Sequence, residues 1–185
     1  MKLFIKIICF ALALTAALSL VACKKNKIDE AVDYGYVEGY YSELAYETKS
    51  DGSTTEFIYL LCTDEELTNA VGKKVVNFDM QGNMTGYTIT IGVKKIERLI
   101  SYSCGENASY YSDITFDKDE KMTVASWENV ETNTETGVTT KNIGVQEFYE
   151  NGKVKTETVE IYTNDKLDSK TVKEYNEAGE LVSEK

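Results

Sequence analysis

At 185 residues, with 42% hydrophobic content, 13 Tyr and 6 Phe, the chain has the length and apolar richness of one folded domain. It carries 20 Lys and Arg against 31 Asp and Glu, a net charge of −11, and it has no histidine. Such a chain repels nucleic acid, whose phosphates are gripped by clustered Lys and Arg, and the missing imidazole excludes Ser-His and Cys-His catalysis.

The amino terminus places Lys2 and Lys6 ahead of an apolar run from Ile7 to Ala22. Crossing a bilayer takes about 20 apolar residues. This run is shorter and stops at Lys24, Lys25 and Lys27. Positive start and apolar middle read as an export signal. Its end, Leu20-Val21-Ala22-Cys23, resembles the lipobox of bacterial lipoproteins. That resemblance implies cleavage before Cys23, a diacylglycerol on its thiol and acylation of the freed amine. With Lys24 following Cys23, it also implies the outer membrane if the host is a diderm. The expected organisation is a signal peptide over 1–22, a lipidated tether over 23–33 and one β-rich domain over 34–185. Cleavage removes two lysines and no acid, leaving 18 bases against 31 acids and a net charge of −13. The tether lysines then face anionic headgroups while the acidic domain is held off them.

Of four cysteines, Cys9 leaves with the signal and Cys23 carries lipid, so Cys62 and Cys104 remain. Outside the inner membrane, a Cys62–Cys104 disulfide and two separate free thiols are both open. With no histidine and no close cysteine pair, no metal site or cofactor is expected.

From residue 34 the chain reads as strands, Thr, Val, Tyr and Ile alternating with Lys and Glu, and no proline interrupts them. Tyr34, Tyr36, Tyr40, Tyr41 and Tyr46 form the densest aromatic stretch, with Tyr110 and Tyr111 further on. The first four are candidate ligand-contact residues, with packing on the sheet as the alternative. Thr63-Asp64-Glu65-Glu66 has the form of a capping box, which predicts a short helix closed by Gly72. Residues 93–102 fit a helix stripe and a strand equally.

One pattern recurs four times: Phe78-Asp79-Met80-Gln81-Gly82-Asn83-Met84, Phe116-Asp117-Lys118-Asp119-Glu120-Lys121-Met122, Phe148-Tyr149-Glu150-Asn151-Gly152-Lys153-Val154 and Tyr175-Asn176-Glu177-Ala178-Gly179-Glu180-Leu181. If the first and seventh residues face each other across a hairpin, the second and sixth flank a three-residue loop. The fifth residue then takes the left-handed conformation, which glycine adopts cheaply. Glu120 breaks the rule, which predicts strain or a different loop in the second copy. A two-residue Asn151-Gly152 turn is the competing register for the third. With the turns at Asp51-Gly52, Thr136-Gly137 and Asn164-Asp165, the second half divides into about six strands in up-and-down order. Trp127 is expected to be a core anchor of a strand Met122–Thr132.

The Phe-Tyr-Glu-Asn-Gly-Lys-Val-Lys unit of the third copy resembles MORN-variant repeats, and also the Tyr-Asp-x-x-Gly-Asn hairpins of envelope lipoproteins. The likeness covers residues 74–185. The copies start 38, 32 and 27 residues apart, whereas an array keeps a fixed period. The expected fold is therefore mainly β: an antiparallel meander of hairpins forming one twisted sheet or an open sandwich, with at most one or two short helices.

Only carboxylates remain as catalytic candidates, and 31 acids make pairs uninformative. Asp117-x-Asp119-Glu120 lacks the glycine and distant Glu of a calcium loop and reads as a polar hairpin tip. The expectation is a membrane-anchored, non-catalytic module for structural or protein contacts. A carbohydrate- or peptide-binding module is the alternative, and a carboxylate hydrolase trails both. Partners are the membrane, through the anchor, and an unidentified envelope protein or glycan. Lys and Glu alternating along Lys166–Glu174 would guard a sheet edge, which predicts a monomer at low concentration.

Overall fold

The computed structural model describes Ile28 and residues 32–50 and 53–185. The signal, the lipobox with Cys23, and most of the tether lie outside the described residues, as does the Asp51-Gly52 turn. Eleven strands follow: β1 (Tyr41–Ser50), β2 (Ser53–Cys62), β3 (Ala70–Phe78), β4 (Met84–Ile91), β5 (Arg98–Cys104), β6 (Ala108–Phe116), β7 (Met122–Thr132), β8 (Thr139–Phe148), β9 (Val154–Thr163), β10 (Lys166–Tyr175) and β11 (Leu181–Glu184). They form one antiparallel sheet in strict chain order. The sheet is open, not a barrel and not a sandwich. Among the described residues there is no helix.

The four hairpin units fold as their spacing dictates. Phe78 faces Met84, Phe116 faces Met122, Phe148 faces Val154 and Tyr175 faces Leu181. In each loop the fifth residue's amide donates to the carbonyl of the second, as Gly82 does to Asp79 and Gly152 to Tyr149. The fifth position is left-handed throughout, with φ of 81° at Gly82, 80° at Gly152 and 85° at Gly179. Glu120 adopts the same conformation at φ 62°. The second copy therefore keeps the common loop and accepts the strain that a side chain brings to that region.

Copies two to four turn at one end of the sheet, and the first turns at the other. The spacing explains this. Three strands, β4 to β6, separate the first copy from the second, whereas two separate each later pair. An odd number of strands reverses the chain direction. The third and fourth tips lie side by side: Tyr149 Oη donates to the Tyr175 carbonyl at 2.8 Å, and Asn151 Nδ2 to the Glu177 carbonyl at 2.9 Å.

Residues 63–69 form a loop, and Gly72 lies within β3, so the expected helix is absent. The capping chemistry is nonetheless present. The Asp64 carboxylate accepts the amides of Thr68 and Asn69, both at 2.8 Å, which holds the chain in a tight turn. No apolar stripe follows to stabilise a helix. Residues 98–104 resolve as strand β5 after a loop over 92–97.

Among the described residues, buried side chains gather on β2–β5 and on residues 32–40. Because directly paired residues share a face, the registers put Phe57, Tyr59, Leu61, Lys74, Val76, Ile89, Ile91 and Ile100 on one side of β2–β5. Residues 32–40 cross that side as a strap. Val37 is buried there with Leu61, Ile89, Ile91 and Ile100, and Tyr40, Tyr87 and Tyr111 pack around them. Beyond β5, Gly144 is the one buried residue. Trp127 explains it: the indole lies across Gly144 on the adjacent strand, where a Cβ would stand 1.9 Å from the ring. Trp127 sits in β7, Met122–Thr132, but is half-buried. It covers a glycine on a single-layer sheet, and no second layer gives it a core to anchor.

Candidate functional site

The densest set of interacting polar and aromatic groups lies where the strap meets β2–β6. Tyr34 sets its ring edge-on to Phe78 at 5.2 Å and tilted to Phe57 at 6.2 Å. Gly35 passes so close to Tyr59 that a Cβ would stand 2.7 Å from the ring. Asp33 closes the start of the strap by accepting the Gly35 amide at 3.0 Å. Lys74 holds its middle. It is 8% exposed, it donates to the Tyr36 carbonyl at 2.9 Å, and its ammonium stands 4.8 Å from the centre of the Tyr87 ring. Burial lowers its pKa to about 8, with Asp33 pulling the other way. Burial likewise raises Tyr59, Tyr87 and Tyr111.

At the rim, Tyr87, Tyr102 and Tyr111 face one another in register across β4, β5 and β6. The Tyr87 and Tyr102 rings are 5.3 Å apart. Arg98 makes a two-pronged contact with Asp113 beside them, at 3.0 and 2.6 Å. That fork is the geometry that best pairs guanidinium with carboxylate.

The four candidate tyrosines are not one row. Tyr34 and Tyr40 turn inward and help close the core. Tyr36 and Tyr41 are 41% and 48% exposed, and by register Tyr41 lies on the face opposite the strap. The Tyr87–Tyr102–Tyr111 ladder was not singled out from sequence, because its members are distant in the chain. The adjacent pair Tyr110-Tyr111 was the one hint, and strand alternation sends only Tyr111 to this face.

No disulfide joins Cys62 to Cys104. They sit on β2 and β5, with two strands between them and at opposite ends of the sheet. Three strand spacings alone amount to roughly 14 Å, twice the reach of a disulfide. Of the two outcomes open from sequence, the structure has the two thiols apart and unbonded to each other. Cys62 is buried and its thiol is pushed up, by desolvation and then by Asp64 and Glu43. Cys104 donates to the Met84 carbonyl at 3.3 Å.

The carboxylates with resolved shifts all titrate low. Backbone amides hold Asp64 and Asp117 down, and Asn83 together with turn amides does so for Asp79. Lys170 and Tyr162 act on Glu160. A general acid needs the opposite shift. These groups shape turns and strand pairs: Asp117 spends one oxygen on the amides of Asp119 and Lys121, at 2.7 and 3.1 Å. Among the described residues no group of three His, Cys, Asp or Glu is placed to hold a metal ion.

Comparison with protein-family models, with curated proteins and with solved structures yields no match to this chain.

Proposed function

We propose that this chain is a lipid-anchored lipoprotein of the bacterial cell envelope whose β domain is a non-catalytic module for protein contacts. Cys23, within Leu20-Val21-Ala22-Cys23 and followed by three tether lysines, is the attachment point. Two or three acyl chains, at about 0.8 kcal/mol per buried CH₂, hold a protein on a bilayer stably. The observation that carries the contact role is the open single-layer sheet. It presents broad surfaces outside the strap, and Asp64, Asp79, Asp117 and Glu160 are held by turn amides and cross-strand partners. Replacing Cys23 with Ser should abolish lipid labelling and release the protein from the membrane fraction. Unchanged labelling and fractionation would overturn the anchor. Product release from cell-wall glycan or peptide, lost on changing one Asp or Glu, would overturn the non-catalytic role.

A second reading, binding of a carbohydrate or peptide, draws on the Tyr87–Tyr102–Tyr111 ladder beside the Arg98–Asp113 fork. Aromatic faces next to fixed polar groups suit a sugar ring. Glycan-array binding that Tyr102→Ala removes, with the fold intact, would favour it. Silence in both glycan arrays and thermal-shift screens would set it aside.

A further inference from the structure

The sheet guards its edges but leaves one face open. The β1 edge is broken by register shifts at Ala45 and after Thr48, and β10 carries another at Asp168. Lys166 and Lys170 stand along the stretch of β10 that β11 does not reach. Such bulges and charges oppose edge-to-edge pairing. The face of β1–β3 opposite the strap has no comparable defence. Tyr41, Tyr46 and Leu60 are 48, 61 and 40% exposed, and they share that face with half-buried Ile58 and Val75.

The charges on this face are arranged to complement a copy of themselves. Glu43 of β1, Leu60 of β2 and Lys73 of β3 are directly paired, so they form one row with an acid at one end and a base at the other. Both charged residues are exposed. A two-fold axis running along β2 through Leu60 lays β1 of one copy over β3 of the next. That operation sets each Glu43 against the other copy's Lys73, brings Leu60 onto Leu60, and places Tyr46 over Val75. One patch meeting itself is the requirement for a closed, isologous pair.

We propose that the open face of β1–β3 is a self-association surface, occupied by the same face of a second copy of this chain. The proposal rests on the contact-module reading and names its partner. Five apolar side chains and two ion pairs make a small, transient interface. Pairing is therefore expected where an anchor crowds copies on a membrane, while the dilute protein stays monomeric.

The test uses the full chain in its membrane. Leu60→Cys, in a Cys62→Ser and Cys104→Ser background, should give a dimer band with a short thiol cross-linker. Leu44→Cys, at a position more exposed than Leu60 but on the strapped face, should give several-fold less. Glu43→Lys or Lys73→Glu alone should cut the Leu60→Cys dimer several-fold, and the two together should restore it. Equal cross-linking at positions 60 and 44, or a double swap no better than either single one, would overturn the proposal. Should Leu60→Cys fail to fold, carbodiimide coupling of a mixture of isotope-labelled and unlabelled unaltered protein decides the matter. A hybrid peptide joining Glu43 to Lys73 supports the pairing, and its absence defeats it. If the self-pairing fails while the same cysteine cross-links another envelope protein, the contact-module reading stands without it.

Discussion

The two halves of this sheet are stabilised in different ways. In β1–β5 the strap covers one face, and Leu61 and Val76 are 0% exposed. In β6–β11 no second layer exists, and exposed Val124, Val145, Ile161 and Leu167 stand among Thr, Glu and Lys. There the sheet is held by strand pairing and by side-chain links across it. Lys170 meets Glu160 at 2.8 Å, Gln146 donates to Glu157 at 2.7 Å, and Lys141 stands 4.9 Å from the Tyr162 ring centre. A β sheet normally buries one face against another layer. This one does so only where a short segment from outside the sheet supplies that layer. Energy concentrates in a few buried side chains on one side and is spread over many cross-strand pairs on the other.

The largest expected difference is between equivalent truncations in the two halves. Leu61→Ala should cost about 2–5 kcal/mol, whereas Val145→Ala should stay within about 0.5 kcal/mol. Denaturant midpoints of both variants measure it, and equal losses would mean the bare half hides a core.

Alkaline pH offers the next contrast. Lys74 has a folded pKa of about 8 against an ordinary 10.5. The unfolded chain therefore binds the proton more tightly, and folding gains stability as pH rises through that window. The gain should be on the order of 2 kcal/mol by pH 10. The raised Cys62 thiol pulls the other way above its unfolded value, and Tyr59, Tyr87 and Tyr111 do so above about pH 10. Comparing stability against pH for Lys74→Met and the parent isolates the lysine. A parent profile no steeper than that of Lys74→Met would show that the strap does not desolvate this amine.

In the bare half, Gly144→Ala should cost about 1–3 kcal/mol by displacing the Trp127 ring. Combining it with Trp127→Leu should remove most of that penalty, which a double-mutant cycle of denaturant midpoints followed by circular dichroism measures. A shift in Trp127 emission in Gly144→Ala alone reads the ring's displacement. Smallest is Glu120→Gly. It relieves a left-handed side-chain residue and should stabilise the second hairpin by about 1 kcal/mol, net of glycine's entropy. A loss of stability would show that Glu120 makes a compensating contact.

Much of the fold was legible because hairpins are local. The distance from Phe148 to Val154 and the place of Gly152 specify loop and register within seven residues, and Phe148 does face Val154 as the three-residue loop requires. The turn at Asn164-Asp165 needs φ of 49° and 64°, which those two residue types tolerate. The capping box misled because Asp64 accepts the same kind of amide bonds in a loop as at a helix start, so local chemistry alone left the outcome undecided. Tyr34, Tyr36, Tyr40 and Tyr41 looked alike in sequence and differ in the molecule, since burial depends on where the strap crosses.

The sequence by itself determined the strands, the loop type at each hairpin and the up-and-down order, because pairing between chain neighbours needs only short-range information. The flip of the first hairpin to the opposite end was implicit in its longer spacing, but only the assembled strands showed it. Tertiary structure alone decided that the sheet stays open in a single layer, that the strap selects which face becomes core, and that Cys62 and Cys104 stay apart. Those outcomes depend on burial between residues far apart in the chain. Hairpin periodicity says nothing about such contacts, and solvent, excluded from one face and not the other, settles them.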